Sequence, residues 1–450
     1  MYHLVYTLPI LIALLLSGCS TYGEIRNDPA TKITANKPYS LKSFHKKFSD
    51  SDSFVILAFS GGGTRAAALA YGVLQELRDT RFTSSSGKRM RLLDEVDVIS
   101  SVSGGSFTAA YYGLFGDKLF DDFETVFLNH HIEKQILKRF LNPFFLISPQ
   151  GRTEAAIEYY QRTIFKYATF GDMMQHPDAP MIIINASDLG HGVRFSFTQE
   201  YFNLLCSDLS SFPVARAVTA SSAVPLLFNP VVVKNHDKCG KELPLILQTT
   251  RNRAKKSAEL QMILKGLNTY YDKGQRQYAH FVDGGITDNL GLRAIHDMLE
   301  VAGGAKSLMQ RLKLRAPKRI VLISVDASTN PARLMDKTNR RPSLAETVGA
   351  MSSAQLYRYN VATVELLKNK LQQWAQQLST PQHLVKPYFI KFGFKDLQSD
   401  QQKEFFNKIP TSFSLSPEQV NRLIKAGRQL IRGNVNYQRL LVDIKGGVTH

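Results

Sequence analysis

Phe54-Val55-Ile56-Leu57-Ala58-Phe59-Ser60-Gly61-Gly62-Gly63-Thr64-Arg65 is the stretch on which the reading of this chain turns. Its first six residues are apolar without alternation, the pattern of a strand buried on both faces. Three glycines follow, and then an Ala-rich helical pattern runs from Ala66 to Leu77. Glycines permit unusual torsions and expose backbone N–H groups. At the N-terminus of a helix those donors face a favourable dipole, which suits an oxyanion or a phosphate. A phosphate loop would end in Gly-Lys-Ser/Thr, and that ending is absent. A plain glycine-rich turn has the same composition, so the segment needs company.

Outward from this segment the pattern repeats. Val96 to Ile99, Met181 to Ile184, Arg194 to Phe197 and Arg319 to Val325 read as further strands, with Phe107 to Leu114 as a helix between two of them. Strands alternating with helices predict an α/β fold with a mostly parallel sheet covered on both faces. Ser343-Leu344-Ala345-Glu346 and Ser416-Pro417-Glu418-Gln419 are capping-box signals. The first starts a long helix towards Trp374, so the region after about residue 330 reads as a helix-rich extension.

Two more segments carry chemistry. In Ser100-Ser101-Val102-Ser103-Gly104-Gly105-Ser106, a strand runs into a turn of small residues. A nucleophile elbow has the form Gly-x-Ser-x-Gly, and here Ser101 stands in for the first glycine while Gly105 keeps the second. Ser103 is the serine with small residues on both sides of the turn. Phe281-Val282-Asp283-Gly284-Gly285-Ile286-Thr287-Asp288-Asn289 brings a carboxylate to the end of an apolar approach, with glycines that allow close backbone packing. An Asp-Gly turn is frequent in any protein.

Taken in order, the three segments resemble the patatin-like phospholipase family. Asn185-Ala186-Ser187-Asp188-Leu189 and Ala220-Ser221-Ser222-Ala223-Val224-Pro225-Leu226-Leu227-Phe228 look like that family's middle blocks. The resemblance covers about residues 54 to 300, with Ser101 and Ala66 standing where the family usually has glycine. It implies a three-layer α/β/α fold and a Ser103–Asp283 dyad without histidine. It also implies an oxyanion hole of Gly61, Gly62 and Gly63 amides, an acyl-enzyme, and neither metal nor cofactor. Arg65 would brace the loop or meet an anionic head group. His280, His191 and His296 are the histidines a triad would need. By the resemblance none is catalytic. Asp288 reads as the start of a helix and Asp188 as structural.

The 450 residues carry a net charge of +18, with 44% hydrophobic and 21% charged residues. That excess suits an anionic partner, either nucleic acid or phospholipid. No nucleic-acid-binding motif accompanies it. The apolar stretch Leu4 to Leu16 is short of the roughly 20 residues that span a bilayer. It reads as a secretion signal ending in Leu16-Ser17-Gly18-Cys19, which resembles the lipobox of bacterial lipoproteins. The expectation is therefore a cell-envelope protein anchored through lipidated Cys19, with Ser20 favouring the outer membrane and a periplasmic face. Secretion favours phospholipid, or another acyl-ester lipid, over nucleic acid.

Four segments are expected: a signal over 1–18, a flexible tether over 19–48, a catalytic domain over 49–330 and a helix-rich extension over 331–450. A coil of the tether's length spans about 30 Å. Cys206 and Cys239 either pair in an oxidising compartment or remain separate thiols. No cysteine has metal-ligand spacing. Residues 132 to 147, and the cluster Arg251, Arg253, Lys255 and Lys256, are candidate membrane contacts. The alternative to a lipid acyl hydrolase is a catalytically silent lipid-binding lipoprotein of the same fold.

Overall fold

The computed structural model describes residues 22–30, 39–49, 51–84, 87–130, 151–176, 178–225, 227–237, 239, 245–255, 257–330 and 334–445. The signal stretch, Cys19, Lys256 and the 132–147 segment lie outside the described residues.

The apolar run forms β1 (Ser53–Phe59), whose last five residues are fully shielded from solvent. β1 is flanked by two parallel partners, β2 (Val96–Val102) and β7 (Arg319–Asp326), so Phe59 faces Ser101 on one side and Val325 on the other. β3 (Met181–Asp188) continues the parallel set beside β2. β4 (Val193–Ser196) and β6 (Tyr278–Val282) pair antiparallel with β3, and β5 (Val231–Lys234) closes that side on β6. The eighth strand, β8 (Lys386–Gly393), lies parallel to β7, giving the order β8-β7-β1-β2-β3-β6-β5 with β4 on β3. The sheet is mixed, mostly parallel and flanked by helices, the α/β architecture expected from the sequence.

Parallel pairing puts the C-terminal ends of β1 and β2 side by side, and both chemistry-bearing turns begin there. From β1 the glycine loop leads into α1 (Gly63–Asp79), and from β2 the serine turn leads into α2 (Gly104–Phe115). Val214–Ser221 forms α3 and Gly285–Asp288 a single turn, α4. The two capping boxes form as read. Ser343 opens α5 (Leu344–Leu378) and Ser416 opens α6 (Pro417–Arg432). α6 lies against α1 at backbone distance: a Cβ on Gly72 would meet the Ile424 carbonyl at 2.2 Å, and one on Gly427 the Leu69 carbonyl at 2.4 Å.

Two boundaries differ from the sequence reading. The region after 330 is more than an appended set of helices, since it supplies an edge strand of the main sheet and the helix covering α1. Pro387 sits near the start of β8, where an edge strand tolerates a missing donor. The stretch expected as a flexible tether is anchored to the body at several of its described residues. Asn27 is buried and brackets the edge strand β5: its side-chain amide donates to the Lys234 carbonyl and accepts from the Lys234 amide, at 2.8 and 2.9 Å. The Ala30 amide donates to the Cys206 carbonyl at 2.8 Å. Tyr39 is buried with its hydroxyl on the Ile182 backbone. A polar segment reads as a coil, yet the same polar groups satisfy an otherwise unpaired sheet edge.

Cys206 and Cys239 form a disulfide with a Cα–Cα distance of 5.4 Å across 33 residues. The closed loop contains α3. Loop-closure entropy for that length corresponds to about 4 kcal/mol. Reduction is expected to lower the unfolding free energy by that order, read as a drop in the urea midpoint with dithiothreitol present. An unchanged midpoint would show that the bond contributes little.

Candidate active site

Ser103 is the first residue after β2 and holds φ at +50°, a left-handed value rarely adopted by a residue with a side chain. Such strain persists only where surrounding contacts over-determine it. Three contacts do so here. The Ser103 amide donates to the Ser221 hydroxyl at 2.8 Å, and that hydroxyl donates to the Asn185 carbonyl at 2.6 Å. The Ser103 carbonyl accepts the Ser106 amide at 2.9 Å. Gly104 is pressed on the glycine loop, where a Cβ would meet the Gly63 carbonyl at 1.9 Å. Ser101 fits the elbow because it lies within β2, with its hydroxyl donating to the Ile183 carbonyl at 3.2 Å.

The Ser103 hydroxyl donates to Asp283 Oδ2 at 2.7 Å, joining residues 180 positions apart. Asp283 follows β6, and its other oxygen, Oδ1, accepts the Gly285 amide at 2.7 Å. Its backbone is held as tightly. The Asp283 amide donates to the Ala223 carbonyl at 3.0 Å and the Gly284 amide to the Ser221 carbonyl at 2.9 Å. Gly284 lies so near Asn185 that a Cβ would meet its carbonyl at 2.3 Å. Desolvation of the part-buried Asp283 carboxyl raises its pKa to about 6, against the lowering effect of the Ser103 hydroxyl and the Gly285 amide.

The glycine loop lies beside the serine: a Cβ on Gly61 would stand 3.3 Å from the Ser103 Cβ. Its three amides are not equivalent. The Gly61 amide donates to the Asn289 carbonyl and the Thr64 amide to the Ser412 carbonyl, both at 2.9 Å. Among the described residues no backbone carbonyl outside α1 accepts from Gly62 or Gly63. Of the three amides expected as donors, that of Gly61 is therefore already engaged by Asn289.

Arg65 braces the loop rather than meeting solvent. It is buried, with Nε on the Ala327 carbonyl at 2.9 Å, Nη1 on the Ile409 carbonyl at 2.5 Å and Nη2 on the Thr411 hydroxyl at 3.1 Å. The expected anion contact has no free face to use. The other candidates fall outside the pair. His280 is exposed on β6 and His191 is exposed in the β3–β4 turn. His296 is buried, with Nδ1 3.2 Å from Asp297 Oδ1. Among the described residues no histidine bonds to Ser103 or Asp283. Asp288 accepts the Leu292 and Ala294 amides and caps the helix that begins there. Asp188 is tied to Tyr270 and Arg276. Glu259, His296 and Asp297 form the one metal-like cluster among the described residues. Arg293 and Arg194 already neutralise its two carboxylates. In the basic cluster at 251–256, Arg253 turns inward onto the Glu300 and Val301 carbonyls.

The family model for patatin-like phospholipase matches residues 57–296, over half of the chain, and spans the glycine loop, Ser103 and Asp283. The chain belongs to the patatin-like phospholipase family. Among solved structures it is similar to human GIVD cytosolic phospholipase A2, at 13% identity and a TM-score of 0.45, covering 94% of this chain and 66% of that one. The same human protein in complex with methyl gamma-linolenyl fluorophosphonate matches at 12% identity and a TM-score of 0.38, covering 93% and 66%. The type III effector protein ExoU matches at 15% identity and a TM-score of 0.22, covering 88% and 76%. No curated protein matches the sequence.

Ser221, Asn185 and Ser412 were invisible as participants in the sequence. Ser221 and Asn185 stand in blocks that the family resemblance marked without roles; Ser412 had no signal. Replacing Ser221 by Ala strips the Ser103 amide of its buried acceptor, a loss of about 1–3 kcal/mol. The expected result for Ser221→Ala is a kcat lower by about tenfold, equivalent to roughly 1.4 kcal/mol of barrier, with KM held. A rise in KM alone would show that Ser221 shapes binding instead.

Proposed function

We propose that this patatin-like protein is a lipid acyl hydrolase of the phospholipase A or lysophospholipase type. The observation that carries the reading is the 2.7 Å hydrogen bond from Ser103 to Asp283 on a strained elbow beside the glycine loop. Asp283 takes the hydroxyl proton as Ser103 Oγ attacks the ester carbonyl carbon. The carbonyl oxygen becomes an oxyanion, held by the Gly62 and Gly63 amides. Such a donor contributes about 3–4 kcal/mol at the transition state. Collapse breaks the ester C–O bond, and the alcohol leaves with the proton returned by Asp283. Water then gives a proton to Asp283, attacks the acyl-enzyme and releases the fatty acid as Ser103 recovers its proton. A carboxylate with a pKa near 6 is ionised at neutral pH and is a stronger base than an ordinary aspartate. The substrate class rests on family membership and on the basic charge of the chain.

The test is a product assay on mixed envelope lipids with fluorophosphonate labelling alongside. Ser103→Ala is expected to abolish labelling and fatty-acid release, and Asp283→Asn to lower release by at least about a thousandfold, while His280→Ala keeps most activity. Below pH 6 the base is protonated, so kcat/KM should fall about tenfold per pH unit there and be flat above it. Equal labelling of Ser103→Ala would refute the nucleophile. A loss of activity in a folded His280→Ala chain would refute the dyad.

We also propose that the chain is an envelope lipoprotein anchored through acylated Cys19. The motif Leu16-Ser17-Gly18-Cys19 supports this. Mass spectrometry of the mature chain from a bacterial envelope is expected to find an acylated N-terminal cysteine; an intact Met1 would reject the anchor.

A further inference from the structure

α5 is one helix of 35 residues with two unlike halves. From Asn360 onwards it is part of the body, with Thr363, Leu367, Leu371 and Trp374 buried. From Leu344 to Tyr359 none of the described residues is buried, over a length of about 24 Å at 1.5 Å per residue. An exposed helix of that length ordinarily carries charges on its open faces. This one does not. Between Ser343 and Val364 the charged residues are Glu346 and Arg358 alone. Leu344 is 80% exposed, Met351 64% and Tyr357 65%. Gly349 further weakens the helix by about 1 kcal/mol relative to alanine. A half-helix of this kind is consistent with a face that is covered in use.

Its position says what covers it. The helix enters the body at Asn360, whose side-chain amide reaches the Ser328 hydroxyl at 3.5 Å. The same hydroxyl takes the Asn289 side-chain amide at 3.3 Å, and the Asn289 carbonyl holds the Gly61 amide. The exposed half therefore departs beside the glycine loop. Tyr359 shares a cleft of about 240 Å³ with Met262, Ile286 and Arg293. Ile286, three residues beyond Asp283, is itself 52% exposed. Exposed apolar residues thus continue from α5 to the rim of the Ser103–Asp283 site. The chain before the helix is basic, with Lys337, Arg340 and Arg341 all exposed, and the whole protein carries +18. An apolar surface with a basic flank is complementary to an anionic bilayer. No helix among the described residues is long and apolar enough to cross a membrane.

We infer that the N-terminal half of α5, residues 344–359, is an interfacial element that lies on an anionic lipid bilayer and brings the Ser103 site to its surface. The inference deepens the lipid-hydrolase reading and rests on it for the identity of the surface. Seated there, Met351 and Tyr357 enter the acyl boundary, and the basic flank meets the head groups. The Ser103 site then opens towards the lipid it takes.

The test uses the full chain with Cys19→Ser, so that no acyl anchor contributes, and Met351→Cys carrying an environment-sensitive fluorophore. Vesicles of phosphatidylglycerol and phosphatidylethanolamine are expected to shift its emission to the blue and raise it several-fold. The same label at Arg315→Cys should not respond, because Arg315 precedes β7 at the opposite end of the parallel strands from Ser103. No response at position 351, or an equal response at 315, overturns the inference. So does a shift on concentrating the protein without vesicles, which would assign the face to a second copy of the chain. In a second arm, Met351→Glu with Tyr357→Glu should lower hydrolysis of those vesicles at least tenfold and leave a soluble short-chain ester within twofold. Equal loss on both substrates, or on neither, also counts against it. The label reports contact without turnover, so its outcome stands apart from that of Ser103→Ala, which tests the hydrolase reading itself.

Discussion

The backbone of Gly104 lies against the carbonyl of Gly63 with no room for a Cβ, which would come within 1.9 Å. Much of the site follows from that contact. It presses the N-terminus of α2 onto the glycine loop, so the serine turn and the candidate oxyanion donors form one rigid unit. Parallel pairing of β1 with β2 brings the two turns to the same end of the sheet, and glycine lets them touch. A side chain at Gly104 would part the loop from the serine turn, and one at Gly63 would strike the Ser412 carbonyl at 2.4 Å. The strained Ser103 torsion is tolerable because both flanking turns are held by packing rather than by the local chain alone.

Asp283 is delivered from the other direction. It arrives on β6, an antiparallel neighbour of β3, and its backbone is pinned to Ser221 and Ala223. Ser221 thus serves both partners. Its hydroxyl holds the serine amide and its carbonyl holds the chain beside the aspartate. The disulfide closes the loop that carries α3 and this residue. Both oxygens of this carboxylate are occupied, by the Ser103 hydroxyl and the Gly285 amide, and desolvation raises its pKa to about 6.

The two ends of the chain reinforce the centre. The segment around Asn27 covers the sheet edge at β5, and the C-terminal region adds β8 at the opposite edge. The turn from Ile409 to Ser412 reaches the glycine loop, through Arg65 and through the carbonyl that takes the Thr64 amide. Removing the region after 330 would therefore disturb the loop as well as shorten the protein. The half of α5 that projects beyond this framework makes no comparable contribution to the core, which separates its role from that of the rest of the helix.

Local order of residues was enough to read β1, the glycine loop, the serine turn, the Asp-Gly-Gly segment and both capping boxes. Each of these depends on torsions, periodicity or caps within a few neighbours, and those are properties of the linear chain. The pairing of Ser103 with Asp283 was legible only through the family resemblance, since neither motif alone specifies its partner. The division of labour among the loop amides was decided by tertiary structure. Gly61 is lost to Asn289, and Arg65 is committed to Ile409, 344 positions away. The docking of Asn27 and the pairing of Cys206 with Cys239 belong to the same class. β8 escaped notice because its pairing with β7 joins residues 67 positions apart in register, as in Lys386 beside Arg319. Contacts of that range are created by the fold, and composition or spacing carries no record of them.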